Sequence, residues 1–147
     1  MDLRKSTSRP GLAGIVEVKM PSLVEISVHF GNKTALAIIG VYITMLNDAI
    51  NKQRMNKEQT DMCAELAYEV CYTLSPLVLF EFFIKCLKGE FGDFYGNVDM
   101  AWILNGLKKY MDEVQSTIRR LNVERNRDKR KRLWEEGQKM WNEQHNR

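Results

Sequence analysis

Residues 56–87 read NKEQTDMCAELAYEVCYTLSPLVLFEFFIKCL and carry the clearest fold signals of the chain. Asn56 followed by Gln59 predicts a capping box at the start of a helix. Ser75 followed by Pro76 predicts a second start, because serine caps helix N-termini and proline is favoured at the first helical position. Apolar residues recur at helical spacing after each start: Cys63, Leu66, Ala67, Val70 and Leu74, then Leu77, Phe80, Phe83, Ile84 and Leu87. The stretch therefore predicts two successive helices.

Helical spacing also extends to both sides of this stretch. From Asn32 to about Gln53 the apolar residues are Leu36, Ile39, Ile43, Leu46 and Ile50. Asp99 is expected to cap a last long helix. Its apolar side is formed by Ile103, Leu107, Tyr110, Val114, Ile118 and Leu121. The chain is thus predicted to be mainly α, a small helical domain of about four helices.

The segment before these helices alternates instead. Residues 22–30, SLVEISVHF, place Val24, Ile26, Val28 and Phe30 on one face, which predicts a short N-terminal β-strand or hairpin. Residues 1–14 are rich in Ser, Arg, Pro and Gly and are predicted to be a disordered arm. The predicted organisation is therefore an arm (1–14), a helical domain with a β element (15–118) and a basic, tryptophan-bearing helical tail (119–147). We expect this tail to be an extended basic C-terminal helix that protrudes from the domain.

The glycine-rich segment 88–99, KGEFGDFYGNVD, is best interpreted as a connection between helices. A phosphate-binding loop would follow a strand and contain GK[ST] or GxGxxG, and neither condition holds here. The local charge is also negative, which disfavours phosphate. We expect the glycines to supply backbone angles that side chains disfavour, and Phe91, Phe94 and Tyr95 to pin the connection to its helices.

One resemblance covers about a third of the chain, from Gln59 through Tyr110. The pattern Gly-x-aromatic-Gly-x-x-Tyr, followed by an Asp-started helix, is similar to that of a family of small, largely uncharacterised helical proteins from phages and mobile elements of gut bacteria. The matching residues are Gln59, Phe80, Gly89, Phe91, Gly92, Tyr95, Asp99, Ile103, Leu107, Tyr110 and Glu113. The resemblance implies a role in mobile-element DNA replication or metabolism. The chain departs from the family at Asp93 and Val114, where basic residues are usual.

Composition sets broad limits. The 147 residues are 44% hydrophobic and 28% charged, as in an ordinary soluble domain. The longest apolar run, Ala35 to Leu46, has twelve residues, whereas a membrane span needs about 20. Cys63, Cys71 and Cys86 show no disulfide or metal-site spacing and are expected to be buried thiols. We expect a cytoplasmic location, in the host cell if the protein is phage-encoded, or in the virion.

Charge is distributed unevenly. Residues 21–118 carry eight basic and twelve acidic side chains, a net charge of −4. Residues 119–132, here called the basic block, carry eight basic and two acidic side chains, a net charge of +6. The basic side chains are the candidate nucleic-acid contacts: Arg119, Arg120, Arg125, Arg127, Lys129, Arg130, Lys131 and Arg132. The alternative is a block that is only solvated, as a helix or a flexible tether.

Apolar residues return at helical spacing after the basic block. Leu133, Trp134, Met140 and Trp141, with Gly137 between them, form what we call the apolar stripe. Three ways of burying it remain open: against the protein's own body, against a partner protein or second copy, or at a membrane surface. Glu135, Glu136 and Glu143 on the polar face disfavour the membrane.

These features predict a non-enzymatic binding or adaptor protein whose basic tail contacts nucleic acid. The alternative is a structural or assembly protein whose amphipathic C-terminal helix docks on a partner subunit or self-associates. We expect no catalytic residues, cofactor, metal site, small-molecule ligand or membrane partner.

Overall fold

A computed structural model of the protein describes residues 11–92 and 98–146. The described residues form six helices and no strand, which confirms the mainly α class. The helices are α1 (Leu12–Val16), α2 (Leu23–Phe30), α3 (Asn32–Ile50), α4 (Lys57–Cys71), α5 (Pro76–Leu87) and α6 (Met100–His145). Two of them, α1 and α2, exceed the four that were predicted.

The predicted helix starts are confirmed by their capping bonds. The Asn56 side chain accepts a hydrogen bond from the Gln59 amide at 2.8 Å, and the Gln59 side chain accepts one from the Asn56 amide at 2.9 Å. Ser75 Oγ accepts from the Val78 amide, and Asp99 Oδ1 accepts from the Trp102 amide. These bonds satisfy N–H groups that have no partner within their own helix.

The predicted strand at residues 22–30 is wrong, because Leu23–Phe30 is the helix α2. Ser22 caps it by accepting a hydrogen bond from the Glu25 amide. The Leu23 and Val24 amides donate to the carbonyls of Leu74 and Tyr72 in the α4–α5 turn, at 2.8 and 2.9 Å. A single strand would have no partner among these helices, whereas α2 satisfies its backbone and buries Leu23 and Ile26.

The predicted disordered arm and the glycine-rich connection fall partly outside the described residues. Residues 1–10 and 93–97, and with them Phe94 and Tyr95, lie outside the described residues. Residues 12–14, which were predicted to belong to the disordered arm, are instead the first residues of α1. Gly89 and Gly92 have φ of 78° and 119°, which confirms that the connection needs angles that side chains disfavour. Phe91 packs against the ring of Phe82, with centroids 5.2 Å apart.

The core lies where α3, α4, α5 and the first turns of α6 meet. Its largest fully buried side chains are Tyr110, Phe82, Phe83, Leu23, Ile39, Ile43, Leu46, Leu79, Ile103 and Leu107. The three cysteines are buried and free, as predicted, and desolvation raises the pKa of Cys63 to about 11 and those of Cys71 and Cys86 to about 12. Leu66 and Leu87, which were predicted on the apolar faces, are exposed.

A buried pair of asparagines ties the start of α6 to the end of α3. Asn51 donates to the Val98 carbonyl at 2.9 Å and accepts from the Val98 amide at 2.7 Å. Its side chain also donates to Asn47 Oδ1, which accepts from the Met55 amide. Each of these polar groups is therefore paired, and the chain that leads into α6 is held at a fixed position.

Among the described helices, only α3 is by itself long and apolar enough to cross a membrane. Helices α4 and α5 reach that length and apolar composition only when they are taken together, and the pair is bent by 117°. One face of α3 is buried in the core through Ala35, Ile39, Ile43 and Leu46. A soluble core helix meets the same criterion. The expectation of no membrane partner therefore stays a prediction.

Candidate nucleic-acid interface

The candidate interface lies on α6, whose side chains change from buried to exposed along the helix. Ile103, Leu107, Tyr110 and Val114 are buried, Leu121 is half-buried, and every residue from Asn122 to Asn146 is exposed. Ile118, which was predicted on the buried side, is also exposed. We call residues 122–145 the projecting segment; at 1.5 Å per residue it is about 36 Å long.

The base of α6 is held by several contacts of different kinds. The Tyr110 hydroxyl donates to the Val78 carbonyl at 2.6 Å, and the Tyr110 ring packs against Phe82. Burial, together with the nearby carboxylates of Glu81 and Glu113, raises the Tyr110 pKa, so this hydroxyl stays a donor. Lys85 of α5 binds Glu113 at 2.6 Å. The projecting segment therefore continues from a fixed support.

The basic block begins just before the projecting segment and continues into it, and all of its charged side chains are exposed. Arg125 is paired with Glu17, at 2.8 Å from Nη2 to Oε1. Arg119 Nε donates to the Gln115 carbonyl at 3.4 Å. With successive residues about 100° apart around a helix, the eight basic side chains surround the axis rather than follow one face.

The apolar stripe lies beyond the basic block, and its four side chains are exposed. Leu133 is 58% exposed, Trp134 69%, Met140 62% and Trp141 58%. The Trp141 ring stacks on His145 with centroids 4.1 Å apart, and His145 Nδ1 lies 2.9 Å from the Trp141 carbonyl. Of the three ways of burying the stripe, burial against the protein's own body does not occur in the described part of the chain.

A separate groove runs between α3 and α4, with a volume of about 750 Å³. Its lining includes the small or apolar residues Leu36, Ala37, Gly40, Val41, Thr44 and Ala64. Its rim carries charges of both signs, with Arg54 bridged to Asp48 at 3.3 Å. This groove was not predicted, because its two walls come from helices whose outward faces carry no shared sequence signal.

The structure brings the predicted residues together as two adjacent sections of one exposed helix. The basic section can contact phosphates as a set of exposed cations, and the apolar section can bury two indoles against a partner. Among residues 11–92 and 98–146, no group of three or more His, Cys, Asp or Glu side chains could hold a metal ion.

Three comparisons were made with known proteins. The chain matches no protein-family model, no curated protein and no solved structure.

Proposed function

We propose that the protein is a non-enzymatic adaptor that binds nucleic acid without sequence preference through the basic block of α6. The observation that carries this proposal is the exposure of all eight basic side chains on a helix that leaves the body. Seven of them have no acidic partner within salt-bridge distance among the described residues. Their arrangement around the axis suits contact with a phosphate backbone from any side, and such contacts carry no sequence information.

The charge of the body favours the same use of α6. Residues 21–118 carry a net charge of −4, so nucleic acid is repelled by the body and attracted to the projecting segment. The origin in a phage or mobile element, and a role in its DNA replication or metabolism, belong to this proposal and are supported by the resemblance alone.

A charge-reversal variant tests the proposal. Arg127, Lys129, Arg130 and Lys131 are changed to Glu, which leaves the Arg125–Glu17 bridge intact. We expect loss of binding to duplex and single-stranded oligonucleotides of unrelated sequence. Wild-type log K should fall with log salt concentration with a slope of about −0.9 per phosphate contacted on duplex DNA.

The matched control reverses four exposed lysines of the body and the base of α6: Lys52, Lys88, Lys108 and Lys109. It changes the net charge by the same amount and should retain most of the binding. Equal binding by the wild type and the basic-block variant would contradict the proposal.

The apolar stripe favours a second candidate function, assembly with a protein partner. Burial of Trp134 and Trp141 depends little on ionic strength, whereas phosphate contact weakens steeply as salt rises. A salt titration of any complex that the protein forms therefore separates the two candidates.

A further inference from the structure

The apolar stripe has an internal symmetry about Gly137. Leu133 and Trp141 lie four residues before and after this glycine, and Trp134 and Met140 lie three residues before and after it. At about 100° per residue these four side chains fall within 60° of the direction in which Gly137 faces. Gly137 is therefore the centre of the stripe both along the helix and around it.

We propose that the stripe binds the stripe of a second copy of this chain, with the two helices antiparallel and related by a two-fold axis at Gly137. A two-fold interface must be self-complementary, and the symmetry of the stripe satisfies this condition. On one side of the crossing, Trp141 of one copy meets Trp134 of the other. On the opposite side, Leu133 of one copy meets Met140 of the other.

Gly137 itself supports a close crossing. A glycine inside an exposed helix costs about 1 kcal/mol relative to alanine. Apart from its chain neighbours and the local backbone of α6, a Cβ atom built at Gly137 would have no atom of the described chain within 4 Å, so no packing contact there requires the glycine. The missing side chain would allow two helix backbones to approach at the centre of the stripe.

Charge selects the antiparallel arrangement. A parallel pair would superimpose two basic blocks, each with a net charge of +6. In the antiparallel pair the blocks lie at opposite ends.

The size of the stripe indicates a weak complex. Two indoles contribute roughly 300 Å² per copy, and with Leu133 and Met140 the contact stays below the about 800 Å² per partner of a standard interface. We therefore expect dissociation in the micromolar range.

Dimerisation would give the proposed function two binding sites. The centres of the two basic blocks would be roughly 34 Å apart, close to one turn of duplex DNA of about 10 base pairs. This consequence rests on the proposed function, whereas the dimer does not.

Disulfide trapping without nucleic acid tests the dimer. With axes about 8–10 Å apart and Cα atoms about 2.3 Å from each axis, two cysteines at position 137 would lie roughly 4–5 Å apart, within disulfide range. Gly137→Cys should form the linked dimer at least about tenfold faster than Glu135→Cys, which lies on the opposite face. The native thiols are buried and protonated, so we expect them to form no competing disulfide in this assay.

A second variant needs no oxidation. Gly137→Leu improves helix propensity but separates the backbones, so sedimentation equilibrium should show self-association weakened at least about tenfold, or 1.4 kcal/mol. Lys139→Leu adds the same side chain on the opposite face and should dimerise like the wild type, toward twice the 17.2 kDa chain mass. A wild type that stays monomeric at high micromolar concentration would overturn the proposal. So would a dimer that Gly137→Leu leaves unchanged and Gly137→Cys fails to trap, because that dimer would use another surface, such as the α3–α4 groove.

Discussion

The two halves of α6 share one continuous backbone but lie in opposite environments. Residues 100–114 bury Ile103, Leu107, Tyr110 and Val114 in the core, whereas residues 122–145 are exposed throughout. An exposed helix such as residues 122–145 is only marginally stable in water when it is isolated, because forming its first turn costs free energy. Here the buried half supplies that first turn, and Glu, Arg, Lys and Gln, which are good helix formers, continue it. Packing thus fixes where α6 begins, and propensity determines how far it extends.

The difference between the halves predicts opposite responses to the same substitution. Asn105 and Asn126 are both exposed asparagines inside α6. Asn105→Pro should cost about 3 kcal/mol or more, because proline removes a backbone bond and clashes with the preceding turn where the helix belongs to the core. Asn126→Pro should reduce helix content and leave the unfolding midpoint of the body unchanged. Urea unfolding followed by circular dichroism measures both; equal loss of stability would mean that the projecting segment is part of the core.

A matched pair of leucines tests the same contrast through packing. Leu107 is fully buried and Leu133 is 58% exposed. Leu107→Ala should lower the free energy of unfolding by about 2–5 kcal/mol, because it leaves a cavity in the core. Leu133→Ala should change it by no more than about 0.5 kcal/mol when the protein is dilute. A large effect of Leu133→Ala under those conditions would show that the stripe is packed against the body.

How far the sequence predicts this molecule depends on how local each signal is. Asn56 with Gln59, Ser75 with Pro76, and Asp99 are signals within one helical turn, and the structure confirms each helix start. Ser22 with Glu25 has the spacing of a capping box too, a signal that the prediction from the alternation of residues 22–30 did not use. A tertiary contact also favours the helix, because the first two amides of α2 donate hydrogen bonds to the carbonyls of Leu74 and Tyr72.

Contacts between residues that are far apart in the sequence could not be predicted from it. Asn51 pairs with Val98, which lies 47 residues away, and nothing in the local sequence of either marks the contact. The residue at which α6 leaves the core could not be predicted either. Ile118 continues the apolar helical spacing, but its side chain is exposed. For the candidate interface, the basic block and the apolar stripe were visible as composition and spacing. Their exposure was predicted from the segregation of charge, but the residue at which exposure begins was not, because it depends on where the other helices end.

The projection of residues 122–145 is the claim on which both proposals depend, and small-angle X-ray scattering measures it directly. The protein should be dilute, with Gly137→Leu measured alongside to hold the monomer. Since α6 has 46 residues, we predict a maximum dimension of at least about 69 Å. A radius of gyration near the roughly 15 Å of a compact chain of this length would contradict the account, because the segment would then be folded against the body.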